Sequence, residues 1–331
     1  MSHLYFERPG TVVGIRSNQC MIRFPNGISQ TVPIESIESV TLLCPAQLTE
    51  QFMTVCLKKN IPVSYFSKGG TYFGRLVSTD NVNTKRQRIQ CSLYDTPFAL
   101  KFAERVLQAK LHNQEVILKR YARYRSVDVT DTIKTVRYNH DRISQCKQIP
   151  EMLGHEGMAA KAYFSGLSRL IDPQFAFHGR NKRPPKDPFN TLISLGYSIL
   201  MNELYGRIEA KGLNPFFGLI HRDDEKHPTL ASDLMEEWRA ILVDATALSL
   251  LNRHELGPED FEYKDEGCYL TKDGLATFLE KFHDKMQTQT HYLSYEKGAA
   301  DFYHAINLQM DHFAKAIETE DVSCYTPVII R

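Results

Sequence analysis

An α+β fold is predicted, a small N-terminal β-rich domain followed by a larger all-helical one, and three observations carry it. The 331 residues exceed the span of one ordinary domain, which runs to roughly 100–200. Turn signals at Ser17-Asn18 and Asn26-Gly27 separate short β-prone runs near the start. Beyond about residue 90 the apolar period changes from two to about 3.6 and stays there.

In chain order, Thr11 to Arg16 and Gln19 to Phe24 read as a hairpin, with Thr31 to Ile34 as a further strand. Leu48 to Lys59 reads as a helix, and Ile61 to Phe66 pairs with Thr71 to Val77 across Ser67-Lys68-Gly69-Gly70. These make a β-rich domain over 1–78. Residues 79–90, polar and then basic, read as a linker to a helical domain over 91–331. There Pro97 starts a helix to about Leu111, followed by Gln114 to Arg125 and a less regular piece to about Gln145. Ile149-Pro150 breaks the pattern before a helix from Glu151 to about Leu170. Further helices are expected from Asn190 to Gly212, from Thr229 or Ser232 to about Asn252, from Thr271 to about Met286 and from Tyr292 to Glu318. Phe261 to Leu270 reads as a small hairpin.

Composition narrows the function classes. Apolar residues make up 42% and charged residues 24%, and no apolar run reaches the ~18–20 residues of a membrane span. The start, MSHLYFERPG, lacks the pattern of a secretory signal. Seven scattered cysteines without a C-x-x-C pair argue for reduced thiols in a cytoplasm, and against a disulfide scaffold or a thiolate zinc site. The formal charge of +1 announces no polycation, so a nucleic-acid role must rest on local patches.

The candidate chemistry lies in Asn214 to Arg239, where an apolar run ending in His221 meets a charge-dense loop and then a helix carrying Asp233, Glu236 and Glu237. Residues three or four apart share a helix face, so Asp233 points with Glu236 or with Glu237. One imidazole delivered to paired carboxylates suits a hard divalent cation; acids in a first helical turn also serve merely to complement the helix dipole. Glu156 sits among Gly154, Gly157, Ala159, Ala160 and Ala162, either as a functional carboxylate or as surface charge. The loop Ile171 to Phe189 holds Arg180, Lys182, Arg183 and Lys186, which suit phosphate or are simply solvated.

Three segments in this order resemble a known family. They are G-x-E-G-x-A-A-x-x-Y-F over Gly154 to Phe164, D-P-x-N-x-L-x-S-L-G-Y-S-x-L over Asp187 to Leu200, and G-L-N-P-F-F-G-L-I-H followed by L-x-x-D-L-M-E-E-W-R. Together they resemble the CRISPR-associated integrase family, Cas one; the β-rich start and the AKLHNQEVILKRYAR helix fit it more loosely. The resemblance implies a homodimer that works with the small Cas two protein, capturing short foreign DNA duplexes and inserting them into a CRISPR array. It implies one Mg2+ or Mn2+ held by Glu156, His221 and Glu236, with Asp233 behind them or reaching the ion through water. The expected chemistry is metal-assisted attack of a DNA 3′-hydroxyl on a phosphodiester, or of water to give hydrolysis. Arg180, Lys182, Arg183 and Lys186 are expected to carry the duplex, with Arg222 and, more weakly, Lys85, Arg86 and Arg88. Tyr163 either steadies a DNA end or is a core aromatic with a satisfied hydroxyl. Two rival readings are a metal-dependent nuclease for branched DNA and a DNA-binding assembly scaffold whose acids are structural. A zinc hydrolase is disfavoured because H-E-x-x-H is absent.

Overall fold

The computed structural model describes residues 2–67, 72–222, 224–290 and 298–331. Its two compact units are Met1–Val82 and Asn83–Arg331, and each is taken by itself. In the first unit, β2 (Val12–Arg16), β3 (Gln19–Arg23) and β4 (Ser29–Pro33) form an antiparallel meander. Ser17 and Asn18 turn with positive φ, and Gly27 does the same, as hairpin turns of this kind require. The short β6 (Gln47–Leu48) joins this sheet in parallel beside β2.

A second sheet has the order β1-β5-β7-β8, from β1 (Ser2–Phe6), β5 (Ile37–Leu42), β7 (Val63–Phe66) and β8 (Tyr72–Leu76). Its β1/β5 and β5/β7 pairs are parallel, and α1 (Glu50–Lys58), capped by the Thr49 hydroxyl, lies on the crossover from β5 to β7. Parallel neighbours need such crossovers and leave no turn signal, which is why β1 and β5 escape a hairpin-based reading. Val13, Cys20, Ile34, Val40, Phe52, Cys56 and Val63 fill the core of this unit. The Lys68-Gly69-Gly70 part of the second expected turn lies outside the described residues.

The described residues of the second unit are mainly helical, with one antiparallel pair, β9 (Phe261–Lys264) and β10 (Gly267–Leu270), and an isolated bridge between Thr290 and Ala300. Its first helix, α2 (Thr84–Ser92), falls in the polar stretch expected to be a linker; Asn83 caps it, and buried Gln90 bonds to the backbone of Asn214 and Phe217. The two helices expected from Pro97 to Arg125 are one, α3 (Pro97–Arg125). The apolar stripe weakens at Lys110, Asn113 and Gln114, yet all three are buried. Asn113, for instance, donates to the carbonyls of Glu237 and Val328 and accepts from the Ile330 N–H.

The remaining helices are α4 (Thr130–Ile143), α5 (Ile149–Leu170), α6 (Pro188–Ala210), α7 (Thr229–Trp238), α8 (Ala245–Asn252), α9 (Lys272–Gln287) and α10 (Phe302–Thr319). Pro150 stands in the first turn of α5, where the missing N–H costs nothing. Asp187 caps α6, Thr271 caps α9 and Asp301 caps α10. Residues 291–297, where the last helix was expected to begin, lie outside the described residues. Between α7 and α8 the chain runs as a π-helical stretch, Arg239–Asp244. At Gly196 of α6 a Cβ would stand 2.5 Å from Val243 of that stretch, so glycine permits the close approach. Among the described residues no helix is long and apolar enough to cross a membrane.

Candidate functional site

Helix α7 is the base of the site. All ten of its residues are buried, so its acids cannot be surface charge serving the helix dipole. Asp233 and Glu236 take different partners. The Asp233 carboxylate accepts the backbone N–H groups of Leu219 and Ile220 on Oδ2, at 2.7 and 2.9 Å, and that of His221 on Oδ1 at 3.1 Å. The His221 imidazole Nδ1 stands 2.6 Å from the same Oδ1. Asp233 thus fastens the FFGLIH loop to α7 and fixes the imidazole with its Nδ1–H on the carboxylate, turning Nε2 away. Gly218 makes this possible: a Cβ there would lie 2.8 Å from Thr229 and 3.0 Å from Asp233 Oδ2. Burial would lower the His221 pKa, but the hydrogen bond and charge of Asp233 outweigh it and raise it.

Glu236 points to a charge cluster. Lys110 of α3 places Nζ 2.5 Å from Glu236 Oε2 and donates at 2.5 Å to Glu156 Oε1 of α5. The Oε2 contact lacks the alignment of a hydrogen bond. Arg239 holds the other oxygen, Oε1, at 3.2 Å. Burial pushes the Glu236 carboxyl up, but Arg239, Lys110 and His221 overcome it and hold it at about 2. Lys110 likewise loses to burial and gains more from Glu236 and Glu156, so it stays charged. Glu156 and Glu236 therefore meet across one ammonium, and His221 lies within electrostatic reach of Glu236. Neighbouring Glu237 faces elsewhere. It accepts the Tyr325 hydroxyl, the Gln309 amide and the Val328 N–H, and burial pushes its carboxyl from 4.5 up to about 8 despite those bonds.

The residues expected to hold a metal fit one in kind. Two carboxylates from separate helices, one imidazole with Nε2 outside its Asp233 bond, and a buried Glu236 oxygen met only by a cation form a hard donor set. Among the described residues, however, no three His, Cys, Asp or Glu side chains stand as a ligating cluster. Lys110 stands between two of them.

The basic loop divides into two groups. Asp187 and Asn190, the D and N of D-P-x-N, shape it: Asp187 Oδ2 accepts the Asn181 and Asn190 side-chain amides, and Asn190 Oδ1 accepts the Asn181 N–H. Arg180 turns inward to Asn190 Oδ1 at 2.9 Å and Ser194 Oγ at 3.1 Å, over the Tyr197 ring. Lys182, Arg183 and Lys186 are exposed. Burial first, then the charges of Arg183, Arg180 and Arg239, lower the Lys182 pKa, so Lys182 feels the Arg239 that holds Glu236. Arg222, next to His221, is exposed. In α2, Lys85 and Arg88 are exposed, whereas Arg86 pairs with Glu318 and the Lys211 carbonyl.

Tyr163 is corrected by the structure. It is fully buried and its hydroxyl donates to Asp244 at 2.9 Å, so it is the core aromatic and not a surface contact. Asp244 also accepts the Tyr197 hydroxyl at 2.5 Å; burial pushes its carboxyl to about 6. Arg239 stacks over the Tyr197 ring, 4.9 Å from its centroid. Lys110 and Arg239 are what sequence reasoning missed. A lysine inside the buried stripe of α3 was the available signal for the first, and Arg239 follows Glu236 at helical spacing.

An α+β chain with an acid pair held on one buried lysine and a loop of exposed cations is equipped to act on phosphodiesters. The profile of the family described as "CRISPR associated protein Cas1" matches residues 4–284, and the chain belongs to that family. It is 33% identical over 289 residues to the "CRISPR-associated endonuclease Cas1" of Mycobacterium tuberculosis, covering 86% of this chain and 85% of the relative. It is 34% identical over 264 residues to a Leptospira interrogans "exonuclease Cas4/endonuclease Cas1 fusion", covering 78% of this chain and 49% of that protein. In fold it is similar to a Cas1 protein from Thermotoga maritima, with TM-score 0.82 at 21% identity over 96% of this chain and 97% of the other. A casposase bound to integration product gives TM-score 0.85 at 20% identity over 97% of this chain and 91% of that one.

Proposed function

We propose that the chain is a metal-dependent CRISPR adaptation integrase and endonuclease, joining the 3′-hydroxyl of a short foreign duplex to a phosphodiester of a CRISPR array. The observation that carries this reading is the meeting of Glu156 from α5 with Glu236 from α7 beside His221 of the loop that precedes α7. Glu156, Glu236 and the Nε2 of His221 would hold one Mg2+ or Mn2+, which supplies Lewis acidity to the phosphate and lowers the pKa of the attacking hydroxyl. Asp233 keeps the imidazole in the tautomer that offers Nε2, a positioning role behind the ligands. Arg239 holds Glu236 ionised and oriented. Lys182, Arg183 and Lys186, with Arg222, Lys85 and Arg88, seat the duplex through its phosphates. Arg180 supports that loop from within.

A homodimer and a Cas2 partner belong to the same proposal. One solved structure of similar fold is titled a Cas6-RT-Cas1--Cas2 complex, with TM-score 0.84 at 24% identity over 98% of this chain and 36% of that one. The test is a strand-transfer assay with a 3′-hydroxyl duplex and a repeat-containing acceptor. Joined products that require Mg2+ or Mn2+ and vanish in Glu156→Ala and His221→Ala support an integrase. Cleaved but never joined DNA indicates a nuclease, and full metal-dependent joining by both variants leaves the acids structural.

A further inference from the structure

Resting on the metal-site reading above, we infer that Lys110 is a resident counter-cation that competes with the divalent ion for Glu156 and Glu236, so that the ion loads firmly only as a DNA phosphate arrives. The ammonium touches one oxygen of each carboxylate at 2.5 Å, the same two acids that would hold the ion. It also draws together two acids from separate helices, with Arg239 adding its attraction to both. Lys110 reaches them from α3, in the buried stripe between Leu107 and Leu111, and its side chain is 8% exposed.

Charge balance gives the consequence. Lys110 and Arg239 face Glu156 and Glu236, and Asp233, holding the His221 imidazole by its Nδ1–H, adds a third anion, so the cluster carries one net negative charge. A divalent ion turns that single negative charge into a single positive one, and the buried surroundings of Lys110 and Glu236 make the excess costly. Either the ammonium swings away from the carboxylates or an incoming phosphate restores the balance. A lysine suits this role because its charge sits on a flexible four-carbon stem, unlike the planar fork of Arg239. Lys110 is thus a positioning residue that tunes when the site fills.

The experiment measures Mn2+ affinity by the loss of free-ion EPR signal, with and without a short duplex, together with thermal melting in chelator and in Mn2+. Wild type is compared with Lys110→Gln and Lys110→Met. The expected result is DNA-free Mn2+ binding at least tenfold tighter in the variants, a lower melting temperature in chelator that Mn2+ largely restores, and a smaller gain in affinity on adding duplex. Unchanged or weaker Mn2+ binding in folded variants overturns the inference, as does failure of both variants to fold even with Mn2+, which makes Lys110 a structural pin. Should neither wild type nor variants bind Mn2+ with or without duplex, the metal-site reading falls as well. Wild-type binding abolished by Glu156→Gln keeps that reading standing whatever Lys110 does.

Discussion

Asp233→Ala separates an orienting acid from a metal ligand. In the native chain this carboxylate satisfies three backbone N–H groups of the FFGLIH loop and the His221 Nδ1–H. Leaving a buried donor unsatisfied costs about 1–3 kcal/mol. Three amides at the low end of that range predict a loss of ~3 kcal/mol. For a unit of this size each kcal/mol moves the melting temperature by ~2–4 °C, so a fall of roughly 6–12 °C is expected in chelator. The freed imidazole loses its fixed tautomer, and outer-shell partners of this kind are worth about 10–100-fold in metal affinity or activity. The assay is a melt followed by single-turnover strand transfer below the lowered melting temperature. Asp233→Asn, which keeps one acceptor oxygen, should fall between wild type and alanine in both measurements. A melting temperature within about 2 °C of wild type would show that Asp233 does not anchor the loop. Activity lost as completely as in His221→Ala, with stability intact, would make it a direct ligand.

Lys182→Gln, Arg183→Gln and Lys186→Gln combined should flatten the salt dependence of DNA binding by roughly 0.9 log units for each phosphate left without its cation, whereas Arg180→Gln should chiefly lower the melting temperature. An unchanged slope in the triple variant removes the loop from the interface. Tyr163→Phe should destabilise by about 1–3 kcal/mol through loss of its Asp244 bond and leave the DNA salt slope unaltered; a changed slope with unchanged stability would restore Tyr163 to the DNA surface. Glu237 has a folded pKa raised from 4.5 to about 8, so the stability it contributes is complete below 4.5 and lost as pH rises through 8. Glu237→Gln should therefore flatten the decline in melting temperature over that window, and an identical decline in the variant would contradict the assignment.

The sequence carried local features well and charge partners poorly. The cap at Thr271 and the turn residues Ser17, Asn18 and Gly27 act through their own backbone neighbours, so their meaning survives without the rest of the chain. Strands β1 and β5 pair in parallel across a meander, and no local pattern marks such a partner. The same limit explains the site. Helical spacing allowed Asp233 to act with either Glu236 or Glu237, and only packing sends Glu236 to Lys110 and Glu237 to Tyr325 and Val328. The small residues Gly154 and Gly157 face open space, whereas Gly166, further along α5, lies against Thr132 and Leu118. Polar residues such as Lys110 and Asn113 made one long helix read as two, because function and tail anchoring place charge where a core stripe is expected.

Anomalous scattering from crystals of the protein with Mn2+ and a short duplex tests the central claim most directly. One strong peak is expected, bounded by Glu156, Glu236 and the Nε2 of His221, with Asp233 still on the loop amides and the Lys110 ammonium drawn off at least one carboxylate. A peak ligated by Asp233 in place of Glu236, or lying away from all three side chains, would contradict that claim.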